Sequence, residues 1–192
     1  MKKLLGLSFL VGLLFLSGCA ISHTYGPYMG KVVEKGTGAP IEGAVVFVQF
    51  YTGEGNIGGM TSVFADAVET LTDADGKFLI PPYSITTFRP MHSWLKNGYA
   101  IIFKPGYGAF PGHREATLTH PNGTLPVNEL IVIELPRLQN DEERRKNLHN
   151  VNYPMSLVPC EKQRQILNLT NLESLSLGLG AEMTNICGDY SE

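Results

Sequence analysis

Charge is scarce in this chain of 192 residues: Asp, Glu, Lys and Arg together make up 17%, below the roughly 25% usual in soluble proteins. The formal charge is −3, so the basic footprint of a nucleic-acid binder is missing. No apolar run reaches the roughly 20 residues that a membrane-crossing helix needs. The H-E-x-x-H, G-x-S-x-G and P-loop patterns are absent, which removes the common zinc-peptidase, esterase and nucleotide-phosphate signatures. One G-x-G-x-x-G occurs at residues 53–58, but no helix with an apolar stripe follows it, so a dinucleotide site is not expected. Cysteine occurs three times and tryptophan once. What is plentiful is Gly (21) and Pro (12), about 17% against roughly 12% on average. That excess argues against a helical bundle and for a turn-rich, strand-rich body, while 43% apolar residues suffice for a core.

The first residues read as an address. Lys2 and Lys3 precede an uncharged apolar run at 4–16, which has the length of a signal-peptide core. Leu16-Ser17-Gly18-Cys19 follows and resembles a bacterial lipobox. The resemblance implies cleavage before Cys19, residues 1–18 as leader, and lipid on the Cys19 thiol, with acyl chains that anchor the new N-terminus stably. Residues 19–27 are expected to be a lipidated tether. Ala20 stands where an Asp would imply inner-membrane retention, so the expected place is the cell envelope, at the outer membrane and facing the periplasm. Losing Lys2 and Lys3 would take the formal charge from −3 to −5.

With Cys19 assigned to lipid, Cys160 and Cys187 remain. In an oxidising compartment they are expected to pair, closing a loop of about 28 residues and contributing about 3.6 kcal/mol by the chain-entropy account. Two buried free thiols are the alternative.

Strands are predicted at 29–34, 44–51, 68–72, 77–80, 99–104 and 130–135, from β-branched and aromatic runs between turn clusters. Residues 52–60 read as a long Gly-rich loop, 86–97 as irregular chain holding Trp94, and 110–126 as loop. Asp73-Ala74-Asp75-Gly76 reads as a tight turn, with Gly76 free to take a positive φ. As a calcium loop it lacks the needed Glu, because position 82 is proline. After Pro136 the character changes. Asn140 is placed to cap a charged helix at 141–149, and a second helix after Cys160 carries Ile166, Leu167, Leu169, Leu172 and Leu175, with Gly178 as its stop. The stripe is expected to pack on the strands. The fold class is mainly β: one sandwich at 28–136 and a short helical, disulfide-linked extension at 137–192.

Three blocks carry a family resemblance: Gly30-Lys31-Val32-Val33, residues 37–46 (TGAPIEGAVV), and residues 72–78 (TDADGKF). Residues 99–107, a strand running into Pro-Gly-Tyr, match the later part. Together the stretch from 30 to about 135 resembles the carboxypeptidase regulatory-like family, small transthyretin-like or immunoglobulin-like sandwiches. The resemblance implies a non-catalytic module that serves as accessory, spacer or binding domain. It brings no zinc-peptidase residues with it. The chain departs from the family at 52–60, around Trp94 and in the tail, where specific function is expected.

The expected role is therefore a non-enzymatic envelope lipoprotein, held to the membrane through Cys19, whose sandwich is an interaction or assembly module for an envelope protein. The alternative is a glycan- or peptide-binding module that uses end-loop aromatics, with Trp94, Tyr107 and Phe110 as possible contacts. No cofactor or metal is expected. His113 and His120 share a loop but form no close zinc pair.

Overall fold

A run of Val-Val-Phe-Val-Gln-Phe at 45–50 has no polar alternation, the mark of a strand covered on both faces. The computed structural model describes residues 19–56, 59–119, 124–152 and 158–180 and shows the cause. The run lies in β3 (Val45–Asn56), the centre of a sheet flanked by β4 (Gly59–Leu71) on one side. Its other edge is shared by β7 (His92–Trp94) and β8 (Tyr99–Phe103). Val46, Val48 and Phe50 face one apolar core, and Val45 and Phe47 face another.

The first core is closed by a second sheet, in the order β5 (Lys77–Ile80), β2 (Tyr28–Glu34), β10 (Leu130–Leu135), β9 (Thr117–Leu118). There β2 and β10 run parallel, with Ile131 opposite Gly30, and the other pairs are antiparallel. A Cβ at Gly30 would lie 2.6 Å from the Ile131 side chain and 2.8 Å from Phe78, so only glycine fits. The molecule is mainly β, with its two larger sheets facing across a shared core as in a β-sandwich. A separate two-stranded ribbon, β1 (Cys19–Tyr25) with β6 (Tyr83–Pro90), adds Tyr25 and Ile85 to that core.

The three sequence blocks meet in one knot. Asp73 Oδ1 accepts from the N–H groups of Asp75 and Lys77, and Gly76 turns the chain at φ +74°. The Gly76 carbonyl accepts from Val32 N–H at 2.8 Å, and Ile41 N–H donates to the Val32 carbonyl. The buried Thr72 hydroxyl donates to the Ile41 carbonyl (2.6 Å) and accepts from Ala44 N–H (2.8 Å).

The second core is closed by the tail. The helices are α1 (Asp141–Asn152) and α2 (Arg164–Ser176), with a 3-10 turn at Cys160–Lys162 between them. Asn140 Oδ1 accepts from Glu143 N–H at 3.0 Å, the expected cap. At the end of α2, Leu179 N–H reaches the Ser174 carbonyl and Gly178 N–H the Leu175 carbonyl, with Gly178 at φ +68°. That is a Schellman stop. Leu148, Val151, Ile166, Leu167 and Leu177 pack on Val45, Phe47 and Phe103.

Five expectations need correction. Residues 19–25 are no slack tether but strand β1. Residues 52–56 and 59–60 are strand and not loop: Thr52–Asn56 continue β3 and pair with Gly59–Val63, beyond a bulge at Ala65 where Phe50 faces Asp66 and Tyr51 faces Phe64. The chain around Trp94 is largely strand, and a short strand, β9, interrupts the span at 110–126. On α2 the buried face is Ile166, Leu167, Thr170, Glu173 and Ser174, while Leu172 and Leu175 are exposed. A strict three-residue spacing drifts round a helix of 3.6 residues per turn, so the leucines leave the buried face after Leu169. The leader, Cys187 and His120 lie outside the described residues.

Candidate interaction surface

Strands leave alternate side chains on opposite faces. In the second sheet Phe78, Ile80, Ile131 and Ile133 turn inward, and the next positions turn out. The register sets Leu79 opposite Met29, and Met29 opposite Leu130. Leu79 is 58% exposed and Leu130 75%, with Met29 half-buried between them. These three side chains make an apolar row across three strands, with exposed Val127 just before β10. Lys31 and Lys77 form the next cross-strand pair, and Lys77 also bridges Asp75 at 3.0 Å. An apolar row bordered by charge on a sheet face is the anatomy of a contact surface.

The aromatic residues expected as ligand contacts do not converge. Trp94 lies opposite Thr52, half-buried, stacked on His23 at 5.7 Å and edge-on to Tyr25, with its indole N–H buried and unpartnered. Phe110 is 6% exposed and belongs to the first core. Tyr107 donates its hydroxyl to Glu34 at 3.0 Å and carries the Arg137 guanidinium over its ring. Phe110 pairs with Ile102, itself opposite Val46 of β3, and Thr52 lies six residues along that strand, about 20 Å at the usual rise. Trp94 and Phe110 are therefore set well apart along β3. Asp73, Asp75 and Gly76 lie in a tight turn, with Asp73 Oδ1 accepting from Asp75 N–H and Gly76 at φ +74°. His113 Nδ1 accepts from the Glu115 N–H.

Sequence reasoning missed three polar clamps, because their members are far apart in the chain. Arg144 grips the fully buried Glu173 by two hydrogen bonds, 2.9 and 2.6 Å, and Glu173 also accepts from Gly106 N–H at 3.2 Å. The second clamp joins Lys162 to Asp66 (3.0 Å) and to Tyr83 (3.0 Å), whose hydroxyl donates to Asp66 at 2.8 Å. In the third, Arg89 donates to Thr52 Oγ1 (2.9 Å) and to the Val63 and Phe64 carbonyls at the bulge, while His92 Nδ1 lies 3.2 Å from the same hydroxyl.

Their chemistry is that of fastening. The Tyr83 hydrogen bond holds the Lys162 ammonium above its usual pKa, and burial does the same to the Tyr83 phenol. Near neutral pH both keep their protons and cannot act as bases. Thr52 is fully buried and already engaged. Glu69 caps α2 from β4, accepting from the Gln165 (2.7 Å) and Ile166 (3.1 Å) N–H groups, while burial raises its pKa. Cys160 opens the 3-10 turn. No complete disulfide pair lies among the described residues, since Cys187 is outside them.

Compared with family models, with curated proteins and with solved structures, the chain gives no significant match in any of the three. The row and the clamps therefore have to be read on their own chemistry.

Proposed function

We propose that this protein is a non-enzymatic cell-envelope lipoprotein, anchored by lipid on Cys19 at the periplasmic face of the outer membrane, whose carboxypeptidase regulatory-like sandwich is an assembly module for an envelope protein. The address comes from Lys2-Lys3, the short apolar run and Leu16-Ser17-Gly18-Cys19. The Cys160–Cys187 bridge belongs to the same reading, because export would oxidise it. The observation that carries the role is the Leu79–Met29–Leu130 row, three apolar side chains abreast on an otherwise completed sheet. The glycan- or peptide-binding alternative has no shared platform, with Trp94 and Phe110 near opposite ends of β3.

The test is photo-crosslinking in the cells that make the protein, with the reactive residue at Leu79 or Leu130 and a control at Leu172, exposed on α2. One recurrent protein adduct from both row positions and none from Leu172 is expected. Row positions that give no adduct, or the same adducts as Leu172, would sink the assembly role. Mass analysis of the N-terminal peptide tests the anchor separately.

A further inference from the structure

One end of the molecule gathers three chain features. Strand β1 starts at Cys19, opposite Pro90, the last residue of β6. Met91 then turns the chain into β7, whose first residue, His92, faces Glu54 near the tip of the β3–β4 hairpin, where Asn56 pairs with Gly59. The same end carries the most exposed large apolar side chain among the described residues, Met91 at 83%, together with Phe88 at 68% and Met60 at 62%. Met91 sits at φ +64°, a left-handed conformation that bulky residues seldom adopt. Arg89 points inward onto the bulge carbonyls.

We propose that this end, the Met91 turn with Phe88 and Met60 beside it, rests in the headgroup layer of the membrane that holds Cys19. The inference rests on the lipid-anchor reading and adds an orientation to it. Pairing leaves no slack: adjacent strands lie about 5 Å apart, and the next Cα is about 3.8 Å further along. The polar layer on each side of a bilayer is about 5–8 Å deep. A lipid on Cys19 therefore brings Met91 to the depth at which apolar side chains leave water. The occupant is a lipid surface because Cys19, whose acyl chains would enter it, is paired with Pro90, the residue directly before Met91.

Trp94 is the only tryptophan, so a probe can be moved. In the full-length protein carrying Trp94→Phe, single substitutions Met91→Trp, Phe88→Trp and Leu172→Trp are made. Each protein is reconstituted into vesicles of phosphatidylethanolamine and phosphatidylglycerol, with or without bromine near the headgroup end of the acyl chains. Loss of fluorescence in brominated vesicles at positions 91 and 88, with none at 172, is expected. Acylated protein with no loss at 91 and 88, or equal loss at all three, overturns the orientation and leaves the anchor standing. A Cys19 thiol that mass analysis finds unmodified overturns the anchor, and the inference with it.

Discussion

The two apolar cores share β3 and are closed by different means. Between the sheets the fillers are nearly all hydrocarbon: Phe50 stacks on Tyr25, Tyr28 and Tyr83, and Ile102, Ile133 and Leu135 are fully buried. On the outer face of β3 the covering helices bring polar groups inside. Glu173, Thr170, Gln163 and Asn147 are all buried, Thr170 bonds back to the Ile166 carbonyl, and Asn147 bridges the Ala109 N–H and the Tyr107 carbonyl. The first core is non-directional and tolerant of small shifts. The second is specified by geometry, and it fails when one partner is lost.

Phe50→Ala should show the largest effect, a loss of about 4 kcal/mol, read as a lower urea midpoint for the whole molecule. Arg144→Ala comes next: it strands the buried Glu173 carboxylate and should cost about 3 kcal/mol. Limited proteolysis should then cut first within 137–180, while the near-ultraviolet signal of the sheet aromatics survives. A single transition that takes both together would show that the cores are one cooperative unit. Gly76→Ala tests the knot that serves the first core. A Cβ there would lie 2.5 Å from the Val32 carbonyl oxygen, at φ +74°, so a loss of about 2 kcal/mol is expected in thermal unfolding.

The smallest effect is electrostatic. Burial holds the Glu69 carboxyl above its unfolded value, so the native state keeps that proton longer. Its contribution is therefore fully present below the ordinary carboxylate range and is lost as pH rises through the raised value. The wild-type urea midpoint, taken relative to that of Glu69→Gln, should fall as pH rises from about 4.5. Equal slopes would remove Glu69 from the account.

The same contrast decides what the sequence could reveal. Strands at 77–80 and 130–135 were legible to the residue, because a core made of side-chain type alone leaves a run or an alternation. The Asp73–Gly76 turn and the Asn140 cap are local chemistry and were equally plain. The buried face of α2 was not, since Thr170, Glu173 and Ser174 look solvent-facing until Arg144 and Gly106 are in place. Nor was the extended nature of 52–56: glycines there signal a loop in one dimension and a slim strand beside Met60 in three. The row at Leu79, Met29 and Leu130 needed the register, which no single segment encodes.

The parallel pairing of β2 with β10 governs the order of events during biosynthesis. A chain made from its N-terminus exposes Tyr28 and Val32 early, yet the neighbour that completes their strand ends at Leu135. Until that segment has emerged, β2 has only β5 beside it, and the sheet keeps an open edge available to other nascent chains. Such distant partners make for slow closure. Newly made molecules would therefore depend on a holding chaperone more than the stability of the finished protein would suggest.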